Sequence, residues 1–387
     1  MKINQKLHEF LRHCSVVLFA FVAMGLIAML ALNLTFLNPL AQTMKDFSLT
    51  DVYYYVLQDH GQADTSRVVT IVDMTDLPDR AAIADVFEEI ESMNPKVVGV
   101  DIVFEGLKSD TLADMHLMAL AEKATNAVFS YYNTSDVYGM GEDEESTDVH
   151  SFFADEVPVT EGYTNIQRSL YGGVKRKVSL RDKSFGDNRT SLIYEVVQKY
   201  TDGALSSHEG DVIGVNFRPT VFRKISPDSI AYHRDWIENQ IVFYGATRER
   251  TDMAYTPLGK MAGVELLAYG TQTLLEESEV RQFSNWVTAL ISFFIVLITH
   301  LGRTGYIAWA KKRKSEWGRY FLTTTFLIGF LLFLWSAFLV WCGFILFMLT
   351  NYSLNLGWAL AAFPFLGGAG EFYGLTIRRY FGGFSLF

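Results

Sequence analysis

Residues 67–104 read RVVTIVDMTDLPDRAAIADVFEEIESMNPKVVGVDIVF and decide the fold of the region around them. The β-branched run 67–73 and the later run 96–104 are typical of buried strands, and segment 80–93 between them repeats apolar residues at helical spacing. A strand, a helix and a second strand at this distance indicate a right-handed βαβ unit with two parallel strands in one sheet. The sequence therefore predicts an α/β layered fold with a mostly parallel or mixed sheet and flanking helices.

Further segments extend this pattern and predict one domain over residues 34–284. Helices are predicted over 111–127, 191–200, 228–238 and 263–276, and strands over 127–133, 212–218 and 241–247. Between them, Glu142–Asp148 carries five acidic residues and is too polar for a core. We expect a surface loop there, with calcium binding as the alternative, although the segment lacks the ligand spacing of an EF-hand loop.

Long apolar stretches flank this domain on both sides. Residues 14–32 carry no charge over about the length that a helix needs to cross a bilayer. A cleaved signal peptide is the alternative, but the apolar run is longer than is usual for such a peptide. The sequence predicts four transmembrane helices, over residues 14–33, 285–302, 320–341 and 350–371, with the boundary between the last two left open.

Basic residues predict the orientation of these spans. Lys2, Lys6 and Arg12 precede the first span, a strongly basic loop follows the second, and Arg378 and Arg379 follow the last. Because basic residues favour the cytoplasmic side, we expect the domain outside and both termini inside. The predicted outer segment has 40 acidic against 22 basic residues, which agrees with this orientation. The cytoplasmic segments would be 1–13, 303–319 and 372–387.

Acidic residues follow several of the predicted strands. Asp73 and Asp101 each end a buried strand, and Asp76 lies in the turn after the first. Asp252 and Thr256 lie in the loop after the last strand. The carboxyl ends of parallel strands are where open α/β sheets bind ligands, so we expect these residues to converge and bind a small cation or a polar ligand. The alternative is that they cap helices and hold loop amides.

A basic cluster in the loop 303–319 is a second candidate site. It consists of Lys311, Lys312, Arg313 and Lys314. The cluster would contact either a partner protein or the anionic lipid surface, and lipid is the simpler interpretation.

Motifs for common catalytic chemistry do not occur in the sequence. It contains no G-x-x-x-x-G-K-[ST], G-x-S-x-G, C-x-x-C or H-E-x-x-H pattern, and its histidines lack the spacing of a structural zinc site. We therefore expect no enzymatic activity, no cofactor and no metal site. Nucleic acid is not an expected partner, because the acidic domain would repel it.

Three segments together resemble the CHASE2 family, the extracytoplasmic sensor domains of bacterial signalling proteins. They are RVVTIVDMTD at 67–76, KVVGVDIVF at 96–104, and IVFYGATRERTDMAYTPLGKMAGVELLAYGTQTLLEES at 241–278, with the predicted C-terminal spans directly after. The resemblance covers about residues 14–372. It implies a ligand-sensing module in the periplasm, held in the bacterial inner membrane by one span before it and three after it.

The same resemblance implies a cytoplasmic output such as a histidine kinase, a nucleotide cyclase or a protein kinase. About 15 residues follow Phe372, too few for such a domain, so we expect a separate chain to receive the signal. The first hypothesis is a sensor or receptor subunit that relays a signal to a separate cytoplasmic or membrane partner. The alternative is a structural or assembly scaffold of an envelope complex with no ligand. A homodimer or a larger membrane complex would fit either.

Overall fold

The computed structural model describes residues 2–33, 49–59, 63–134, 147–164, 173–182, 189–207, 210–249 and 252–377. Most of the predicted acidic loop 142–148 lies outside the described residues, as does the tail from residue 378. The chain divides into two compact units, Asp51–Arg281 and a second one formed by Met1–Thr50 with Gln282–Phe387.

Helices and strands alternate over much of the chain before residue 282, and helices predominate after it. The helices are α1 (Lys2–Asn33), α2 (Leu49–Asp59), α3 (Arg80–Ser92), α4 (Thr111–Lys123), α5 (Leu192–Tyr200), α6 (Gly263–Leu275), α7 (Asn285–Lys311), α8 (Glu316–Leu322), α9 (Thr325–Thr350), α10 (Gly357–Ala362) and α11 (Leu366–Phe372). The strands up to residue 262 are β1 (Asp64–Asp73), β2 (Val97–Val100), β3 (Ala127–Asn133), β4 (Asp148–Val149), β5 (Glu161–Tyr163), β6 (Lys177–Ser179), β7 (Arg181–Asp182), β8 (Arg189–Thr190), β9 (Val212–Gly214), β10 (Thr220–Ile225), β11 (Ile241–Gly245), β12 (Met253–Thr256) and β13 (Gly259–Ala262).

A mostly parallel sheet forms the centre of the unit Asp51–Arg281. Its strand order is β10-β1-β11-β2-β3-β4, and β5 also pairs with β3. The pairs are parallel except for β3 with β4, which is antiparallel. The last long strand of the unit, β11, therefore lies between β1 and β2, the two strands of the predicted βαβ unit. This sheet with its helices confirms the predicted α/β class.

Alternating side chains of the central strands face two different helical layers. Val98, Val100, Val242 and Tyr244 join the core cluster that contains the apolar face of α3, including Phe87. On the opposite face, helices α5 and α6 pack on each other and on the central strands. Odd-numbered residues of β2 and β11 face α5 and α6, because a strand's side chains alternate between its two faces.

Helix α3 shows why the βαβ segment folds as it does. The Asp79 side chain caps its first turn by accepting a hydrogen bond of 2.9 Å from the Ala82 amide. Val86, Phe87 and Ile90 are buried at helical spacing. The chain leaves the helix through Asn94 in the left-handed region, with φ 56°. Capping, apolar spacing and the turn residue thus all favour the same element.

The predicted helix 228–238 is wrong in type. The structure has two 3₁₀ segments there, Pro227–Tyr232 and Arg234–Trp236. Ile230 and Ile237 are buried, but they are too few to give a continuous apolar stripe at α-helical spacing.

The other unit contains three helices, within its described residues, that are long and apolar enough to cross a membrane. They are Glu9–Ile27 of α1, α7 and α9. The predicted count was four. The segment predicted as the last span consists of α10, a 3₁₀ turn at Phe363–Phe365, α11 and a π turn at Tyr373–Ile377. Pro364 and the glycines near it break the regular helix, since proline lacks an N–H and glycine is a poor helix former.

The second and third membrane helices differ in their bounds from the predicted spans. Helix α7 continues past residue 302 to Lys311, so it includes the first part of the basic loop. Helix α9 runs over Thr325–Thr350, later than the predicted 320–341, and stops at Asn351 in a left-handed conformation. The apolar sequence in this region contains no charge that marks a boundary.

Helices α1, α7, α10 and α11 share one apolar cluster. Val17 of α1, Val296 of α7 and Ala362 of α10 are fully buried in it. The rings of His13 on α1 and His300 on α7 lie 5.2 Å apart between their centroids. The helices before and after the α/β unit in the chain therefore contact each other directly.

Candidate functional site

Three neighbouring strands end at the same level of the sheet. Asp73 at the end of β1 is in register with Gly245 at the end of β11. On the other side of β11, the Asp101 amide donates a 2.9 Å hydrogen bond to the Tyr244 carbonyl. Asp73 and Asp101 thus flank Gly245 at the carboxyl edge of the sheet, where the sequence predicts a site.

Asp73 is surrounded by hydrogen-bond donors. Its Oδ1 accepts hydrogen bonds from the Thr75 amide (3.0 Å), the Thr75 hydroxyl and the Thr247 amide (3.1 Å). Arg248 donates to its Oδ2 at 3.2 Å and also pairs with Asp76. Burial favours the neutral acid, but the bonds from Thr75 and Thr247 outweigh it and lower the pKa of Asp73 to about 2. Asp73 therefore joins the loops after β1 and β11.

Asp101 has a different environment. It is half-buried, and no side-chain or backbone donor of the described residues binds its carboxylate. Burial, and secondly the charge of Asp252, raise its pKa to about 7. We call Asp101 and Asp252 the acid pair. Among the described residues, Asp101 accepts no hydrogen bond and Asp252 accepts one from the Gly263 amide, so both carboxylates can still bind a donor.

Asp252 lies at the N-terminus of α6. An ideal Cβ on Gly263 would approach both of its carboxylate oxygens to 2.6 Å, so glycine is needed at this position. Burial and then the charge of Glu249 raise the pKa of Asp252, the Gly263 amide partly offsets the rise, and the result is about 6. The backbone amides at a helix N-terminus favour anionic groups, which fits the acidic side chain here.

Gly245 allows the acid pair and α6 to approach the sheet. A Cβ at this position would lie 3.0 Å from Asp101 Cβ and 3.0 Å from a methyl group of Val264. Gly245, Gly263 and the donors Thr75, Thr247 and Arg248 were not singled out from the sequence. The glycines inside the quoted segment 241–278 are a signal that could have indicated a close backbone approach.

The remaining predicted residues take other positions. Asp76 is exposed and reaches the edge only through Arg248. Thr256 lies at the turn of the β12–β13 hairpin, where its hydroxyl donates a 2.9 Å hydrogen bond to the Gly259 carbonyl. The hairpin places Met253, next to Asp252, at its opposite end, so Thr256 is engaged in the turn and is separated from the acid pair by the length of the strand.

A cleft of about 520 Å³ lies on the other face of the sheet, between the loops that precede α3 and α4. Arg80 is its central charge and makes a buried ion pair with Asp114. Asp114 also accepts a 2.7 Å hydrogen bond from the Lys108 amide, and Arg80 donates to the Gly106 carbonyl at 3.0 Å. Because these charged groups already bind one another, the cleft offers less unused binding capacity than the acid pair. Sequence reasoning missed it, since no motif marks it.

A model of the CHASE2 domain matches residues 17–302. The chain belongs to the CHASE2 domain family. CHASE2 is a family of sensor domains, so the resemblance found in segments 67–76, 96–104 and 241–278 is confirmed. Comparisons with curated proteins and with solved structures gave no match.

In this CHASE2 protein the acid pair can exchange protons near neutral pH or bind a positively charged group. Its two pKa values, about 7 and about 6, are in the range where one added positive charge displaces protons. Among the described residues, no group of three or more histidine, cysteine, aspartate or glutamate side chains is arranged to hold a metal ion.

The basic cluster of the CHASE2 protein lies at the end of α7. Lys311 is the last helical residue, and Lys312, Arg313 and Lys314 follow it, all exposed. The Arg313 guanidinium lies 4.1 Å from the centroid of the Trp309 ring. This arrangement places an aromatic ring and a group of cations together at one end of a membrane helix, as is common near lipid headgroups.

Proposed function

We propose that this CHASE2 protein is a membrane-anchored sensor whose outer domain binds a cationic or hydrogen-bond-donating ligand at the acid pair. A signal would pass to a separate cytoplasmic or membrane partner. The single observation that carries the proposal is the Asp101 carboxylate, half-buried beside Asp252 and without a donor in the described structure. Binding, rather than catalysis, is the role we assign to the outer domain.

The chemistry of the acid pair supports this choice of ligand. A carboxylate whose charge is disfavoured by burial and by a neighbouring acid gains most from a cation, because the cation relieves both effects. Asp252 also lies against the first residue of α6, so a bound cation would contact the start of that helix. A ligand changes a conformational equilibrium only when it binds one of the two conformational states more tightly than the other.

The chain connectivity supports signalling from the domain toward the membrane helices. Helix α6 begins beside Asp252 and is followed in the chain by α7, the first membrane helix after the domain. A displacement of α6 would therefore reach a membrane helix without an intervening domain. We propose that the receiving partner recognises the cytoplasmic ends of the membrane helices, including the basic cluster.

We further propose the bacterial inner membrane, with the domain in the periplasm and both termini in the cytoplasm. Basic residues in the first part of α1 and at and after the end of α7 favour this orientation. It requires an even number of spans, and the consecutive helical turns over residues 357–377 would supply the fourth. They cover 21 residues, which corresponds to roughly 30 Å at helical rise and is enough to cross the hydrocarbon core.

Ligand binding is tested with full-length protein in detergent micelles, using Ca²⁺, Mg²⁺ and spermidine as probes. We expect at least one probe to raise the thermal unfolding temperature of the wild type at pH 7.5. Asp101→Asn and Asp252→Asn should abolish that shift, whereas Asp76→Asn, an exposed carboxylate on the same edge, should preserve it. An equal response of all four proteins would contradict the assignment of the acid pair.

Relay to a partner needs a separate experiment. Affinity purification of the full-length protein in mild detergent should recover a signalling protein such as a kinase or cyclase, and Asp101→Asn should alter its activity. Recovery of a stoichiometric envelope complex without such an output, unchanged in the variant, would instead favour the scaffold hypothesis.

A further inference from the structure

An apolar groove of about 290 Å³ lies between α7 and α9. Its walls carry mainly aliphatic and aromatic side chains from the two helices. Among them are Ile298, Arg303 and Tyr306 of α7 with Ile328, Leu331 and Leu332 of α9. Both helices are long and apolar enough to span a membrane, so the groove lies along membrane-spanning segments.

Polar groups on the wall of the groove are already satisfied, with two exceptions. Trp335 donates a 2.9 Å hydrogen bond from Nε1 to the Thr299 hydroxyl, which itself donates to the Ile295 carbonyl at 2.7 Å. The exceptions are Arg303 and Tyr306. Neither the guanidinium of Arg303 nor the hydroxyl of Tyr306 has a hydrogen-bond or ion-pair partner within the described part of the chain, although both residues are half-buried.

The sequence around the groove offers Arg303 little acidic compensation. From residue 282 onward the chain has two acids, Glu316 and Glu371, against eight basic residues. Glu316 lies 3.8 Å from Arg319 on its own helix. An unpaired guanidinium in a membrane helix is costly, so such residues usually bind an anion or reach the headgroup region.

The depth of Arg303 matches a lipid headgroup. Arg303 precedes the exposed Lys311 by eight residues, or roughly 12 Å along the helix axis. Tyr306 follows Arg303 by three residues, and both line the groove; an ideal Cβ on Gly367 of α11 would lie 3.4 Å from the Arg303 guanidinium. This order, from apolar wall through single cation to several exposed cations, corresponds to the order of acyl chain, phosphate and surface in a membrane leaflet.

We propose that this groove binds an anionic phospholipid, with an acyl chain along Ile298, Ile328 and Leu332 and its phosphate on Arg303 and Tyr306. Charge complementarity selects an anionic lipid over a zwitterionic one, because a net negative headgroup meets a site with no acid of its own. This lipid site is independent of the sensor role, since its residues are not those of the acid pair.

Native mass spectrometry of the full-length protein from mixed micelles tests this site. With equal amounts of phosphatidylglycerol and phosphatidylcholine added, the wild type should retain phosphatidylglycerol in preference. Arg303→Gln should reduce that preference by about fivefold, the effect expected for one basic residue near an anionic surface. Lys312→Gln, which removes an exposed cation outside the groove, serves as the matched control and should change the preference less.

Two further variants keep the test decisive if Arg303→Gln does not fold. Leu331→Trp fills the groove without changing its charge and should lower the retained phosphatidylglycerol, while Arg303→Lys should keep the preference for it. Equal retention of the two lipids by the wild type would overturn the proposal, as would a loss in Lys312→Gln as large as in Arg303→Gln.

Discussion

Asp73 and Asp101 occupy equivalent positions on either side of Gly245, yet their environments oppose each other. Asp73 accepts hydrogen bonds from two backbone amides, a hydroxyl and a guanidinium, and its pKa falls to about 2. Asp101 has no such donor within the described residues, and its pKa rises to about 7. The comparison teaches that a carboxylate at a strand end is not by itself a ligand site. The donors around it decide whether it holds loops together or remains available.

Replacing the available carboxylate should have the largest effect, and the effect should be stabilising. At pH 8, Asp101→Asn should raise the free energy of unfolding by up to about 4 kcal/mol, because the folded wild type must keep a charge there that burial and Asp252 disfavour. Hydrogen exchange of β11 amides in the full-length protein measures this. A destabilised Asp101→Asn at pH 8 would show that the carboxylate has a partner in the folded protein.

The stabilising effect of Asp101→Asn should depend on pH, because the wild-type carboxyl titrates. The folded-state pKa of Asp101, about 7, lies above the unfolded value, so the folded protein binds more protons between about pH 4 and pH 7. Its contribution therefore lowers wild-type stability as pH rises through that window. The difference between Asp101→Asn and the wild type should grow from pH 4 to pH 7 and then level off, whereas a constant difference would mean that Asp101 does not titrate there.

Removing the charge of Asp73 should act in the opposite direction. Asp73→Asn should lower the free energy of unfolding by about 2 kcal/mol at pH 7, since the loops after β1 and β11 lose their shared acceptor. The stabilisation by Asp73 is present above its unfolded pKa of about 4 and is lost as pH falls through about 2. Asp76→Asn removes the other ion-pair partner of Arg248 and serves as the control. It should lower the free energy of unfolding much less than Asp73→Asn does. Equal costs would assign the stability to Arg248.

Gly245→Ala adds a methyl group between Asp73 and Asp101, so it tests the packing at this edge without changing its charge. Gly245→Ala places a Cβ 3.0 Å from Asp101 Cβ and a Val264 methyl, so it should cost about 1–2 kcal/mol. Gly259→Ala lies where a Cβ would meet nothing, but its φ of 103° makes it strained. Gly302→Ala, also in open space, is therefore the better control and should leave exchange in β11 unchanged. An unperturbed Gly245→Ala would show that α6 can shift away from the sheet.

The smallest effect is expected for Arg248, the exposed ion-pair partner of Asp73. Arg248 is 60% exposed, so Arg248→Gln should cost little stability, and 1 M salt should remove most of the difference. Exchange measurements of the wild type and the variant at low and high salt test this. A large salt-independent loss would place Arg248 in a role beyond its ion pairs with Asp73 and Asp76.

Sequence patterns predicted the α/β class and placed Asp73 and Asp101 on one edge, because strand periodicity and the βαβ rule depend on local residues. They could not separate the two aspartates. Besides the local donor Thr75, the donors to Asp73 come from Thr247 and Arg248, more than 170 positions away, and only the insertion of β11 between β1 and β2 brings these two near. The acid pair depends in the same way on a long-range approach, that of Asp252 to Asp101.

The membrane helices show where hydropathy stops being informative. Length and composition identified α1, α7 and α9, but the uniformly apolar sequence hid both ends of α9. Pro364 was visible in the sequence, and its effect on the last predicted span depends on how neighbouring residues satisfy the freed backbone groups. The prediction of an α-helix over 228–238 was wrong for a related reason, since few buried residues anchor that segment.

The contact between α1 and α7 makes the sensor domain an insertion. About 250 residues separate the end of α1 from the start of α7, yet these two helices share buried valines and the His13–His300 ring contact. Loop-closure entropy rises only slowly with length, so a helix pair can hold the ends of so long a segment together at little extra cost. The α/β unit is therefore a segment inserted between two helices that contact each other, and its exchange for a domain of another size should leave the contact between α1 and α7 intact.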